Sequence, residues 1–462
     1  LAGTLGWLAV HQPALAVALA VAACALPVAL ASKMSLRGGA IALALAGHLL
    51  LGPLYVQGRA PGWLPLLLDL GVLAGFGLLA FEARAPGRAW RLAVLALVAL
   101  ILVQAFNPLL PSIGYGIAGA RSIAIPLLLL VAVGTGRLNV RDEHVLVAIG
   151  VIGWIVNVVL ASRQWLVGFT GAELQWIQSS RSTYLVGDQI RLIGATRSNQ
   201  DFAFLVAIAF PALCACAIAA GKSRAWRVGF TVLALATLAV LFGSLVRSGL
   251  VAGALGALGV AAALSRDPSA RRRLAISGVA LVLVVWFAAS VGAGFVLSPD
   301  KAQTLETRVA SIFAPSEDYA FQQRQTRVWP HALHEIAAHP LGAGAGSAGP
   351  LSQARDDAPL GPLVPDDGYL LMGVQFGIPG LLLFVAVLAL IATELWRRAR
   401  RGAWVAAAGF GAVLALCVAM VTGNFISLVS PSCAWAVLIG LGLREVRRPD
   451  PAETFEQRTA RA

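Results

Sequence analysis

Charged residues are scarce in this chain. Asp, Glu, Lys and Arg make up 12% of its 462 residues, against about 25% in a soluble globular domain. The shortage excludes a water-soluble fold of this length. Hydrophobic residues reach 58%, and a soluble fold has too little interior to hide that much apolar surface. Cysteine is scarce as well: Cys24, Cys214, Cys216, Cys417 and Cys433 all lie in or beside apolar runs. Such placement suits small packing residues and does not support a disulfide framework or a zinc site. Period-two alternation is missing from the apolar runs, which argues against a transmembrane barrel.

What is present is a succession of continuous Ala/Leu/Val/Gly blocks. A helix of roughly 20 apolar residues crosses about 30 Å of hydrocarbon. Such runs fall near residues 12–31, 39–57, 63–81, 90–105, 122–135, 143–161, 200–219, 229–244, 249–264, 274–296, 373–394, 403–422 and 431–443. They predict an all-α fold, a polytopic transmembrane bundle of about 12–14 spans. Residues 14–30 imitate the apolar core of a signal peptide but lack a basic region before it.

The net charge of +13 would suggest nucleic acid on a soluble protein, but its distribution points elsewhere. About 23 of the 35 basic residues sit in short alternate loops, from Lys33/Arg37 through Arg397–Arg401 to the tail. The positive-inside rule makes those loops cytoplasmic. The organisation read here is a bundle over 1–296 with an outer loop near 162–199, a large outer loop over 297–372, further spans over 373–443, and a cytoplasmic tail over 444–462. In the large loop, Trp329-Pro-His-Ala-Leu-His-Glu-Ile-Ala-Ala-His339 puts Trp329, Leu333, Ile336 and Ala337 on one helical face. An amphipathic helix on the membrane surface is expected, ended by Pro340 and the Gly342-x-Gly-x-Gly346 turn.

On the outer side, Arg121, Arg191, Arg197, Arg247, Arg324 and Arg327 lie near span ends. Arg247 sits between two apolar runs with almost no loop, where a guanidinium is costly unless it faces a polar cavity or a partner. Snorkelling to the interface is the plain reading. The chemical one is a cluster for a phosphate-bearing ligand, since the planar guanidinium fork grips phosphate oxygens. Asp366 and Asp367 open a span; they read as helix caps or as a general base facing the arginines. His331 and His334 share a face at i, i+3, but no third metal ligand is evident, so no metal and no cofactor are expected.

With these pieces placed, residues from about 105 to 440 resemble the O-antigen ligase/polymerase superfamily of bacterial membrane glycosyltransferases. Four stretches carry the resemblance: Asn107 to Arg121; Arg191-Leu-Ile-Gly-Ala-Thr-Arg-Ser-Asn-Gln200 with Phe202-Ala203; Ser244-Leu-Val-Arg247-Ser-Gly; and Trp329 to Gly346 followed by Asp366-Asp-Gly-Tyr-Leu370 and Gly377-Ile-Pro-Gly380. Ligases of this group carry a histidine where this chain has Asp366, which favours a polymerase-type member. The resemblance implies transfer of a polyprenyl-pyrophosphate-linked glycan to an acceptor hydroxyl at the periplasmic face of the inner membrane, with no metal required. It implies catalytic roles for Asp366, Asp367, Arg191 and Arg247, and substrate contacts for Arg121, Arg324, Arg327, Tyr369 and Asn199. Asp366 serves as base if burial raises its pKa. The partners are then the lipid-linked donor, a glycan or lipid-linked glycan acceptor and membrane lipid, with no nucleic acid.

A ligase acting on lipid A-core is the first alternative. A transporter or flippase is the second, although it calls for polar residues within several spans, and the spans read as almost wholly apolar with polar groups gathered at one face.

Overall fold

The computed structural model describes residues 35–58, 64–80, 89–135, 138–179, 185–186, 189–219, 223–265 and 319–444. These form an all-α bundle, interrupted by one two-residue antiparallel ladder pairing Leu185 with Ile190 and Val186 with Gln189. In chain order the helices are α1 (Leu36–Leu50), α2 (Gly52–Val56), α3 (Leu64–Ala80), α4 (Ala89–Gln104), α5 (Ile113–Thr135), α6 (Val140–Leu166), α7 (Gly171–Ser179), α8 (Asn199–Ala219), α9 (Arg224–Gly243) and α10 (Arg247–Leu264). After residue 318 come α11 (Tyr319–Gln323), a π-helical turn (Arg324–Val328), α12 (Trp329–Ala338), α13 (Pro350–Ala354), α14 (Gly368–Arg400), α15 (Trp404–Ala419) and α16 (Val429–Leu443). Six of them (α5, α6, α8, α9, α10 and α14) are long and apolar enough to cross a membrane. The expected spans at 12–31 and 274–296 lie outside the described residues.

The expected span over 39–57 is broken. Helix α1 stops at Leu50, and Gly52-Pro53 opens the short α2. A Cβ at Gly52 would stand 2.8 Å from the backbone carbon of Ala195, so the break lets the loop before α8 pass against bare backbone. Helices α15 and α16 are short for a related reason. The segment between them, 420–428, holds only one 3₁₀ turn (Phe425–Ser427) yet is deeply buried at Met420, Phe425 and Ile426. Non-helical backbone at membrane depth is tolerated only where protein covers it. Elsewhere small residues let helices approach closely: Gly256 of α10 crosses Gly411 of α15, and Gly134 of α5 crosses Gly440 of α16.

One end of the bundle is basic and tied together by ion pairs and caps. Arg444 pairs with Glu143 and donates to the Leu138 carbonyl, 2.6 Å. Arg398 donates to the Arg444 carbonyl and Arg400 to that of Ser265. Ser35 Oγ donates to Asp142 Oδ2 at 2.8 Å, joining the starts of α1 and α6. The opposite end holds the break at Leu51, the ladder, the turn before α10 and the whole of 319–367.

Candidate functional site

The far end gathers four separate stretches around the starts of α8 and α10. A Cβ on Gly249 would meet Ala203 at 3.3 Å, and one on Gly243 would meet Leu192 at 3.1 Å. The segment containing Arg191 therefore lies against the turn that leads to Arg247. Gly423 abuts the Phe204 ring, and the Gly368 N–H donates to the Met420 carbonyl at 2.7 Å. The start of α14, with Asp366 and Asp367, thereby joins the same end. Asn199, 3% exposed, is the first residue of α8, and its Nδ2 has no hydrogen-bond partner among the described residues.

Two non-glycine residues among those described have positive φ, and both lie here: Leu245 at 57° and Asp366 at 48°. A left-handed leucine is strained. It is held by the turn Ser244–Val246, where Ser244 Oγ donates to the Leu241 carbonyl at 2.6 Å and accepts from the Val246 N–H at 3.3 Å. The turn is so tight that α10 begins at once with Arg247. Strain of this kind clusters at functional sites.

The paired aspartates divide their work. Asp367 caps α14, accepting from the Leu370 N–H at 2.9 Å. Asp366 takes the left-handed conformation and faces Arg324, whose Nη2 lies 3.3 Å from Oδ2. Burial pushes the Asp367 carboxyl above the usual range, against the pull of the Leu370 and Tyr369 N–H groups. The Asp366 carboxylate is 36% exposed and open to a ligand. Tyr369 is already engaged: its hydroxyl donates to the Cys417 carbonyl at 3.0 Å.

The glycine run, read from sequence as a simple turn, is a buried strap. Gly342, Gly344, Gly346 and Gly349 all have φ between 86° and 102°. Helix α14 is kinked at Gly377 (φ 71°, ψ −174°), followed by Pro379. The kink frees two carbonyls and an N–H that the strap takes up: the Ala343 N–H donates to the Val374 carbonyl (2.9 Å), the Gly344 N–H to that of Gln375 (3.1 Å), and the Ile378 N–H to that of Pro340 (2.9 Å). Gln375 accepts from the Gly346 N–H at 3.0 Å and donates to the Ala348 carbonyl at 2.7 Å. From α4, Gln104 donates to the Leu341 carbonyl at 2.6 Å, and Asn107 beyond it donates to that of Gly342 at 3.0 Å. Buried backbone polar groups need such partners.

Helix α12 is present as expected, but its face is rotated. Ala332 and Ile336 pack inward, Ile336 against Gly373, whereas Leu333 is 56% exposed and Ala337 is exposed too. The tight approach to α14 admits a small alanine where the apolar pattern favoured leucine. His331 and His339 flank Glu335, at 4.0 and 3.7 Å. No group of three metal-type ligands occurs among the described residues.

Arg121 belongs to a polar cluster inside the bundle. Its Nε lies 2.9 Å from Oδ2 of Asp69 on α3, and His48 Nε2 on α1 is 3.8 Å from Oδ1 of the same carboxylate. Spans that read as almost wholly apolar therefore contain a buried acid, tolerated because a guanidinium neutralises it. Nearby, Arg197 stacks 3.8 Å over the Tyr55 ring. The loop before α8 is fastened by Asn157, which accepts from the Ala195 N–H at 2.9 Å, and by Gln164, which accepts from Gly194 at the same distance. Gln164 in turn donates to Glu173 at 2.8 Å, and Arg163 pairs with that carboxylate. Single polar residues within apolar runs were the available signal for Asp69, Asn157 and Gln375.

A multi-pass helical membrane protein whose arginines and acceptor carboxylates meet at one end is the class defined by these features. Residues 232–385 match the family described as O-Antigen ligase, a stretch that includes Arg247, Arg324, Arg327, Asp366, Asp367 and Tyr369. The match supports membership in the O-antigen ligase/polymerase superfamily. No curated protein matches it.

Proposed function

We propose that the protein transfers a polyprenyl-pyrophosphate-linked glycan to a sugar hydroxyl at the far end of the bundle. Basic loops at the other end support reading this as the periplasmic face of the inner membrane. The observation that carries the reading is the meeting of the Arg191, Asn199, Arg247 and Asp366 stretches at one end, the last two on strained turns. The acceptor oxygen forms a bond to the anomeric carbon as the bond from that carbon to the pyrophosphate oxygen breaks. The hydroxyl proton passes to the Asp366 carboxylate. The electron pair leaves with the pyrophosphate, where Arg191 and Arg247 offset its charge. Arg324 orients the Asp366 carboxylate, Asp367 fixes the start of α14, and Asn199 Nδ2, without a partner among the described residues, is available to the glycan. Arg121, already paired with Asp69, supports the site from the side. The segment 319–367 acts as the cover that carries the base.

Aspartate in place of histidine at 366 favours chain polymerisation. Incubation of the purified protein with a polyprenyl pyrophosphate glycan tests this: elongated lipid-linked glycan is the expected product. Glycan moved to a different lipid core would replace the polymerase by a ligase, and absence of any transfer would overturn the reading.

A further inference from the structure

An open cleft of about 390 Å³ is lined by residues 327–364, ending two positions before Asp366. Its lining includes Arg327, His331, Gln353, Leu360, Pro362 and Leu363. Arg327 and His331 are four residues apart along the continuous helix that runs from the π turn into α12, so they present to the same side. The other cations of this region are engaged: Arg324 faces Asp366 at 3.3 Å and Arg355 faces Asp357 at 3.2 Å. Arg327 has no carboxylate partner among the described residues, although it lines a concave site. The opposite wall is apolar, formed by Leu360, Pro362 and Leu363. It runs on through Val364 and Pro365 into Asp366. A concave site with an apolar wall, an amide and a cation is the general pattern of a small-ligand pocket.

We infer that this cavity is a subsite for an acidic sugar, in which Arg327 grips the carboxylate while the ring lies against the apolar wall. The inference rests on the transfer reading only for its meaning: the sugar held here belongs to the glycan being joined at Asp366. A guanidinium fork matches a carboxylate in shape and charge. The donor's pyrophosphate is a poorer match for two reasons. It is tethered to a lipid tail, and no membrane-crossing helix lines this cavity. It also carries more charge than one guanidinium neutralises.

The test uses the full chain in lipid nanodiscs, titrated with 4-nitrophenyl β-glucuronide, 4-nitrophenyl β-glucoside and inorganic pyrophosphate. The glucuronide is expected to bind at least about tenfold more tightly than the glucoside, a difference of about 1.4 kcal/mol. Pyrophosphate is expected not to displace it. Arg327→Ala removes the preference and Arg327→Lys retains part of it. Leu360→Trp, which fills the cavity from its wall, weakens both glycosides. Equal affinities, a preference that survives Arg327→Ala, displacement by pyrophosphate, or no binding of either glycoside overturns the subsite. Glycan transfer is measured separately. Transfer without glucuronide preference refutes the subsite alone, whereas preference without transfer refutes the transfer reading alone.

Discussion

Replacing Gly377 by alanine tests whether the kink in α14 and the glycine strap form one unit. At φ 71° and ψ −174° the residue occupies a region essentially reserved for glycine, and holding alanine there costs about 1–3 kcal/mol. The added Cβ would lie within van der Waals contact of Pro340 O and 2.6 Å from Gly342 N. Backbone cannot yield as a flexible side chain does, so overpacking adds about 1–3 kcal/mol. The sum, about 2–6 kcal/mol, is a large part of the about 5–15 kcal/mol typical of a folded domain. The assay is thermal unfolding of the detergent-solubilised protein, with Ile378→Ala as the control. Ile378 is 46% exposed, and its truncation should be felt far less. Gly377→Ala should melt several degrees lower and lose transfer activity, because the strap and the start of α14 shift together. Melting at the wild-type temperature would refute the account, since an unstrained helix would then pass through position 377.

Three other outcomes follow from the same geometry. Gln375→Leu leaves the Gly346 N–H and the Ala348 carbonyl without their partner, at about 1–3 kcal/mol for each. Denaturant unfolding should show a lower midpoint, and an unchanged one would remove Gln375 from the strap. Asp69→Asn strips the partner from Arg121, costing about 3 kcal/mol, the low end for a broken buried pair because the Arg121 side chain is 31% exposed. In a double-mutant cycle with Arg121→Gln the two effects should fall well short of additive, and strict additivity would deny the pair. The third concerns pH. Burial raises the Asp367 pKa above its ordinary 3.8, so the folded state holds this proton more firmly than the unfolded one. Stability from this group is then full below about pH 3.8 and lost as pH rises through the folded pKa. Asp367→Asn keeps a good N-cap and carries no buried charge. It should be more stable than wild type at pH 7, with the advantage shrinking toward pH 4; a constant advantage would mean that titration is not its source.

Much of the bundle was legible because apolar length is the whole signal for a span in lipid. The reading of 200–219 against Asn199–Ala219, or of 249–264 against Arg247–Leu264, differs only at polar ends. What escaped were features set by contact between distant segments. Nothing local to Gly342–Gly346 shows that bare backbone will lie against Gly377 and that a Cβ on Gly119 would stand 2.5 Å from Gly346 Cα. The rotated face of α12 has the same origin: periodicity ranks Leu333 above Ala332, but the closeness of α14 selects the smaller residue. The Asp69 partner, Arg121, lies 52 positions away, beyond the reach of any local pattern. Asp366 and Asp367 were read as cap or base without a way to divide the roles. Backbone geometry at the two positions supplies the division.

The central claim is that the Asp366 carboxylate takes the acceptor proton. The most direct measurement is single-turnover glycan transfer by Asp366→Asn, compared with wild type and Asp366→Glu in proteoliposomes of equal folded content. The amide keeps the size but accepts no proton, and general-base assistance contributes about 100- to 10,000-fold. The account predicts a loss of that order in Asp366→Asn and partial recovery in Asp366→Glu. Transfer by Asp366→Asn at the wild-type rate would contradict it.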